Sequence, residues 1–380
     1  MSSPNKKPHV LFLFSDTGGG HRTIAEAIIQ SLREMAGEDI EIELIDFLKE
    51  NAPLPLKRLP DWYPKMVKAP QLWKLGFYAT DGRVQARVIV ATIWPYLSRW
   101  ARSIVKRHPS DLIVTVHPFA TSMILKALGP RRPPFITMVT DYISNHALWY
   151  DKRADFILVP TEEARQGAIK FHMPPEKVQV VGMPVKAEYC DFSLDKSALR
   201  QRLGWPQDKF TVLLLGGGEG MGPIEKTAHA VATSGLDLNL VIVAGRNARL
   251  KSRLEAHNWP IPVMIHGFTT EMPKFMHASD VILTKPGAAT VTEALNSHVP
   301  MIFYSRIPGQ EDGNVDYVVS AGAGVWAPKP KEVVQSIRLW ASNPLKLQSA
   351  VSACQMLAQP KSSDIVSRII LNRLGLETRK

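Results

Sequence analysis

The sequence predicts an α/β protein made of two successive doubly wound, Rossmann-like domains. Three observations predict it. Short apolar runs alternate with amphipathic, helix-length stretches through both halves of the chain, the pattern of parallel strands covered on both faces. The alternation falls into two sets, parted by a polar, mixed stretch that puts the linker near residues 185–200. Glycine-bearing turns follow several of the apolar runs directly, at the carboxyl ends of strands, where open α/β sheets bind ligands. The expected domains are residues 1–185 and 195–360, with a helical tail over 361–380 that crosses back onto the first.

The bulk properties fit this reading. A chain of 380 residues can fill two cores. Cys190 and Cys354 make neither a disulfide framework nor a ligand cluster, which points to a reducing compartment. Residues 1–10 contain no apolar signal region, and no run approaches the ~18 apolar residues of a membrane span. The expectation is a cytoplasmic protein that associates with membranes only peripherally.

In the first set, strands are expected at residues 9–15, 41–46, 111–117, 135–141, 155–160 and 178–182, with helices over 24–35 and 120–128. The turn after the first strand reads Ser15-Asp16-Thr17-Gly18-Gly19-Gly20-His21-Arg22. Gly19 and Gly20 leave the backbone free to approach a ligand, and His21 falls on the first turn of the following helix. A helix N-terminus disfavours imidazolium, and Arg22 pushes the same way, so His21 is expected neutral and able to accept a proton. A packing or capping histidine is the plainer alternative. Asp141, at another strand end, suits orienting a reactant or capping a turn, and His117 and His146 are weaker candidates.

Residues 50–88 break the rhythm. Five prolines there (Pro53, Pro55, Pro60, Pro64, Pro70) predict a long irregular excursion. From residue 57 to 107 the chain holds eleven Lys or Arg against Asp61 and Asp81, a local charge of +9 within a formal total of +11. Aromatics are interleaved with the cations: Lys57, Arg58, Trp62, Lys65, Trp73 and Lys74 lead the run, and Trp94 and Trp100 follow. An anionic membrane surface suits this mixture. Single-stranded nucleic acid would suit it as well, and a solvated basic face over core tryptophans is the structural alternative.

The second set predicts strands at 211–215, 238–244, 263–265, 281–284, 301–304 and 324–326. The first runs into Gly216-Gly217-Gly218-Glu219-Gly220-Met221-Gly222, with Pro223 expected at the first helical position. Without Gly-Lys-Ser/Thr it is no Walker loop. The fourth strand runs into Lys285-Pro286-Gly287-Ala288-Ala289-Thr290, where a helix start and a threonine hydroxyl suit a diphosphate. Glu293, further along that helix, suits the two hydroxyls of a ribose or merely complements the dipole. Gln310 and Glu311 sit in a polar Gly-bounded loop suited to a sugar or to a plain surface turn.

Taken in order, these motifs resemble the monogalactosyldiacylglycerol (galactolipid) synthases and, more widely, bacterial diacylglycerol glucosyltransferases and the N-acetylglucosaminyltransferase of peptidoglycan synthesis. Val139-Thr140-Asp141 and Gly182-Met183-Pro184-Val185 extend the match between the opening octapeptide and the glycine loop. The resemblance implies the GT-B fold, two Rossmann-like domains facing a central cleft. It implies an inverting transfer of galactose or glucose from a UDP-sugar to diacylglycerol. By position, His21 would be the base. Gly217, Gly218 and Gly220, with Glu219 between them, would approach the diphosphate. His266, Gly267 and Phe268 would lie beside the uracil, Glu293 would bind the ribose, and Gln310 and Glu311 would face the sugar. Lys285, Gly287, Ala289 and Thr290 complete the expected donor site. No Asp-x-Asp motif occurs, so no metal or other cofactor is expected, and nucleic acid is not an expected partner. Two alternatives stand beside this reading: a related transferase acting on another lipid, such as a peptidoglycan precursor, and a non-catalytic protein that binds nucleic acid or membranes.

Overall fold

The computed structural model describes residues 7–16, 20–50, 52–67 and 69–377, without the side chains of residues 60, 64, 65 and 70. Two compact units divide the chain. The first is Met1–Lys186 with Pro308–Gln310 and Lys361–Lys380; the second is Ala187–Ile307 with Glu311–Pro360.

The first unit runs β1 (His9–Phe14), α1 (Gly20–Ala36), β2 (Glu41–Asp46), α2 (Leu59–Met66), α3 (Pro70–Thr80), α4 (Arg83–Arg107), β3 (Leu112–Thr115), α5 (Pro118–Leu128), β4 (Phe135–Met138), β5 (Phe156–Val159), α6 (Glu162–Lys170) and β6 (Val178–Val180). The strands form one parallel sheet in the order β2-β1-β3-β4-β5-β6. Residues 10–14 of β1 and all of β3 and β4 are buried, as strands covered by helices on both faces must be. The chain steps from β1 out to β2, then returns to the other side of β1 as β3. That reversal makes the carboxyl ends of β1 and β3 the topological switch point of the sheet.

Residues 50–88 correct the expectation of an irregular excursion: they hold a short 3-10 turn (Leu56–Arg58), α2, α3 and the start of α4. Pro60 and Pro70 fall at the second and first positions of their helices, where the N–H that proline lacks has no helical partner to lose. Reading prolines as breakers, without regard to position, hides such helices. Leu97, Trp100, Ala101 and Ile104 of α4 enter the core. Two bonds tie the joint between α3 and α4 to the segment after β4: Thr80 Oγ1 to His146 Nε2 (3.1 Å) and the Ala147 N–H to Asp81 (2.9 Å).

The second unit runs α7 (Lys196–Leu203), β7 (Phe210–Leu215), α8 (Ile224–Ala232), β8 (Leu238–Val243), α9 (Ala248–Glu255), β9 (Val263–His266), α10 (Met272–Ala278), β10 (Val281–Thr284), α11 (Ala288–Asn296), β11 (Met301–Phe303), α12 (Asp312–Ser320), β12 (Gly324–Trp326), α13 (Pro330–Ser342) and α14 (Pro344–Leu357). Its parallel order is β12-β11-β10-β7-β8-β9, so the switch point lies between β7 and β10. Asp280 braces the start of β10: it takes the buried Arg200 of α7 at 2.6 Å and the Thr211 N–H at 2.7 Å.

The last helix, α15 (Ser362–Leu374), belongs to the first unit. Val366, Ile370 and Leu371 are buried, Ser31 of α1 donates to Asp364 (2.8 Å), and Ser367 donates to the Ile28 carbonyl (3.3 Å).

Candidate functional site

Each unit gathers candidate residues at its own switch point. In the first unit, His21 stands on the first turn of α1, beyond the end of β1. Its Nδ1 is 3.0 Å from Thr140 Oγ1, and its ring donates to the Val116 carbonyl just past β3. The His117 ring lies 4.8 Å away and the fully buried Trp149 ring 6.2 Å away. Burial among these groups lowers the His21 pKa to about 4, against the Val116 bond and the Asp16 charge, which both raise it. The ring is therefore neutral near pH 7, with one N–H and one lone pair.

That outcome agrees with the sequence expectation, but its cause does not. Arg22 does not press on His21; it closes on Asp16 with two bonds of 3.1 and 2.9 Å. Desolvation does the work that Arg22 was expected to do. Asp141 accepts from Trp149 Nε1 at 3.2 Å, and Thr140, its neighbour, is the residue at His21 Nδ1. His117 caps α5, its Nδ1 accepting the Phe119 N–H at 3.3 Å. His146 likewise caps a 3-10 turn and holds Thr80. Gly20 opens α1. Gly18 and Gly19 lie outside the described residues.

Over the basic segment, Lys57, Arg58 and Lys74 are exposed, as Trp62 is, while the Lys65 side chain lies outside the described set. For the other tryptophans the membrane-facing expectation, which included Trp73, is corrected in favour of the alternative of core tryptophans under a basic face. Trp73 is half-buried edge-on to Tyr63, Trp94 packs against the core, and Trp100 is buried with its N–H on the Glu50 carbonyl. Exposed apolar surface comes from Leu72 (71%), Leu75 (68%), Val84 (69%) and Val88 (56%), with the rings of Tyr78 and Tyr96 exposed beside them.

In the second unit the glycines of residues 216–222 divide by purpose. A Cβ on Gly216 would lie 2.2 Å from the Met221 carbonyl oxygen, and one on Gly220 2.2 Å from that of Ala244. Both serve backbone packing, and the Gly220 and Met221 N–H groups close the turn onto Gly217 and Gly216. Gly217, in the left-handed region (φ +71°), has open space beside it. The N–H groups of Gly217, Gly218 and Glu219 have no partner among the described residues. Pro223 is the residue before α8 rather than its first. Glu219 pairs with Arg246 at 2.8 Å, and Arg246 lies over the ring of Phe268, which is 59% exposed. His266 packs its ring on Phe275, and Gly267 follows at the end of β9.

Across the switch point, α11 starts at Ala288 with Gly287 before it and no side-chain cap on its first turn. Ala289 is buried, and the Thr290 side chain is partly exposed on that turn. Glu293 receives a hydrogen bond from the buried Tyr189 hydroxyl, whose pKa burial raises, with Glu293 adding to the rise. Glu311 is turned inward: it is buried, accepts the Ile307 N–H at 2.6 Å and faces the buried Lys285 ammonium at 3.5 Å. This pair ties the turn after β10 to the loop after β11, which contains Gln310. Asn314 adds a bond to the Pro286 carbonyl at 2.8 Å. Sequence reading missed Thr140, Trp149, Tyr189 and Arg246 as partners. The one signal within reach was Thr140, which ends a strand beside Asp141.

The sequence model of the monogalactosyldiacylglycerol (MGDG) synthases matches residues 21–185, and that of the glycosyltransferase family 28 C-terminal domain matches residues 211–369. The chain is 36% identical over 374 residues to monogalactosyldiacylglycerol synthase 2, chloroplastic, of Arabidopsis thaliana, covering 95% of this chain and 80% of that protein. The chain belongs to the monogalactosyldiacylglycerol synthase family. As a member, it is a glycosyltransferase with the GT-B fold. MurG of Acinetobacter baumannii superposes with a TM-score of 0.58 at 16% identity, covering 96% of this chain and 99% of that one. Anabaena Alr3699/HepE, solved in complex with UDP-glucose, superposes at 0.56 and 16% identity, covering 97% and 99%. Among the described residues, no helix is long and apolar enough to cross a membrane, and no group of three or more His, Cys, Asp or Glu could hold a metal ion.

Proposed function

We propose that the protein moves galactose or glucose from a UDP-sugar to the free hydroxyl of diacylglycerol, with inversion, at the surface of an anionic membrane on its cytoplasmic side. The observation that carries the mechanism is the neutral His21, held at Nδ1 by Thr140 at the switch point of the first unit. Its lone pair, which meets the Thr140 hydroxyl in the resting protein, exchanges that bond for the acceptor hydroxyl and takes its proton as the oxygen attacks the sugar C1. The bond from C1 to the diphosphate oxygen breaks, and UDP departs with the electron pair.

The second unit meets that negative charge. The open N–H groups of Gly217–Glu219 and the uncapped start of α11 at Ala289 and Thr290 suit a diphosphate without a metal. Glu293, steadied by Tyr189, binds the ribose hydroxyls, and Phe268 under Arg246 offers an aromatic face to the uracil. Gln310 faces the sugar, while Glu311 acts through Lys285 by fixing the loops. The exposed cations Lys57, Arg58 and Lys74 and the apolar ridge of α3 and α4 meet the lipid surface.

The test is purified protein with UDP-galactose or UDP-glucose and diacylglycerol in mixed micelles, with and without a chelator. A glycolipid should form at the same rate in both. Absence of product with either donor overturns the reaction; a chelator-sensitive rate overturns the metal-free leaving group.

A further inference from the structure

Backbone N–H groups carry only partial charges, whereas the diphosphate of a UDP-sugar is a full anion. Among the described residues, Arg246, Lys251 and Lys285 bring basic side chains to the loops of the second unit, and each is paired. Lys285 is buried against Glu311 at 3.5 Å, and the Ile307 N–H fixes Glu311 in turn at 2.6 Å. Lys251, whose stem lies alongside Gly267, pairs with Glu255 one turn along α9 at 2.5 Å. Arg246 pairs with Glu219 at 2.8 Å, and the two side chains are 48% and 35% exposed. An ion pair so open to water contributes little to stability, so Arg246 exchanges its partner at low cost.

Its position is set by its own backbone. Gly245 (φ +60°) brings the chain after β8 so near the glycine turn that a Cβ there would lie 2.4 Å from the Gly218 carbonyl oxygen. The Arg246 N–H donates to that same oxygen at 2.8 Å. The side chain then folds back over the turn, its Nη1 3.3 Å from where a Gly218 Cβ would stand. The guanidinium thus overhangs Gly218, one of the residues whose N–H groups are open. A planar fork of donors fits two phosphate oxygens at once, which an ammonium does not. The same guanidinium lies 4.6 Å from the centroid of the exposed Phe268 ring, the surface offered to the uracil.

We propose that Arg246 is the cation that meets the diphosphate, its guanidinium passing from Glu219 to the β-phosphate when the donor enters. The proposal rests on reading the donor as a UDP-sugar and adds a binding residue to that site. One movement serves both ends of the nucleotide: it brings a full positive charge to the diphosphate and uncovers the face of Phe268. The same guanidinium then faces the charge that UDP gains as its bond to the sugar C1 breaks. Glu219, on this account, holds the arginine ready and does not itself bind the donor.

Calorimetric titration of the full chain with UDP and with UMP tests this. Arg246→Gln should weaken UDP by about tenfold or more and UMP by at most about threefold. Arg246→Lys, which keeps the charge without the fork, should lie between Arg246→Gln and wild type. Glu219→Gln, which releases the guanidinium, should bind UDP at least as tightly as wild type. Because the clasp on Gly218 uses the backbone of Arg246, all three variants should keep the wild-type unfolding temperature in the absence of nucleotide. The proposal falls if Arg246→Gln leaves UDP binding unchanged, or weakens UDP and UMP alike, which would assign the guanidinium to the nucleoside. It falls equally if Glu219→Gln loses as much UDP affinity as Arg246→Gln, which would make the intact ion pair part of the site. A wild-type chain that binds neither nucleotide overturns the UDP-sugar reading itself, and the proposal with it.

Discussion

Two glycine-bearing segments of this sequence each join a strand to a helix at a switch point, yet the proposed reaction gives them opposite chemistry. After β1, the helix begins with a side chain, His21, that neighbouring strand ends enclose and hold neutral. After β7, the turn presents bare backbone, with Gly216 and Gly220 used to pack it and Gly217–Glu219 left open. In the proposed reaction a proton is handled by a desolvated imidazole, and a diphosphate by unfilled N–H groups. The comparison teaches that glycine after a strand marks a ligand approach without saying which ligand. What decides is whether the first turn of the helix is filled or empty.

The largest break in this comparison should come from His21→Asn. Turnover should fall by about a thousandfold, while calorimetric UDP binding stays unchanged; a loss of UDP affinity instead would mean the first turn also serves the nucleotide. Glu293→Ala should do the converse, weakening UDP binding by about tenfold or more with the acid limb of the rate profile unmoved. The packing glycine can be separated from the open one by denaturant unfolding. Gly220→Ala forces a left-handed alanine (φ +57°) onto a carbonyl oxygen at 2.2 Å, which costs about 1–2 kcal/mol for the backbone and about 1–3 kcal/mol for the clash. Gly217→Ala carries the backbone cost alone, about 1–2 kcal/mol.

The pH dependence sharpens the first turn further. With the His21 pKa lowered to about 4 from its ordinary 6.5 by burial, kcat/KM should fall on the acid side near pH 4, with no inflection near 6.5. Between those values the unfolded chain binds a proton that the folded ring refuses, so this group's contribution to stability drops as pH falls through that window. The smallest effect is expected of Thr140→Val, a decrease in kcat of about tenfold with KM unchanged, reversed by Thr140→Ser. A change confined to KM would make Thr140 a binding residue and not one that positions His21.

Much of this was legible in the sequence. Apolar runs gave both sheets, because strands covered on both faces cannot alternate, and the motifs fell at strand ends, where open parallel sheets bind ligands. The side-chain partners were not legible. Thr140 meets His21 only because β4 lies one strand beyond β3, and strand order is a property of the whole sheet. Arg22 was misread for a related reason: a cation next to His21 in sequence turns, on a helix, toward Asp16. The three helices of residues 59–107 were obscured by prolines whose cost depends on position within a turn, which composition alone does not report.

The return of α15 to the first unit bears on how the polypeptide is made. The face of α1 that α15 covers is synthesised early, and its cover emerges only after the whole second unit has left the ribosome. Translation therefore exposes a hydrophobic strip for the time needed to make about half the chain, a natural site for chaperone capture. A gene fragment ending near residue 186 would encode the complete first sheet with that strip permanently bare, so the recombinant half-protein should aggregate unless residues 361–377 are grafted back.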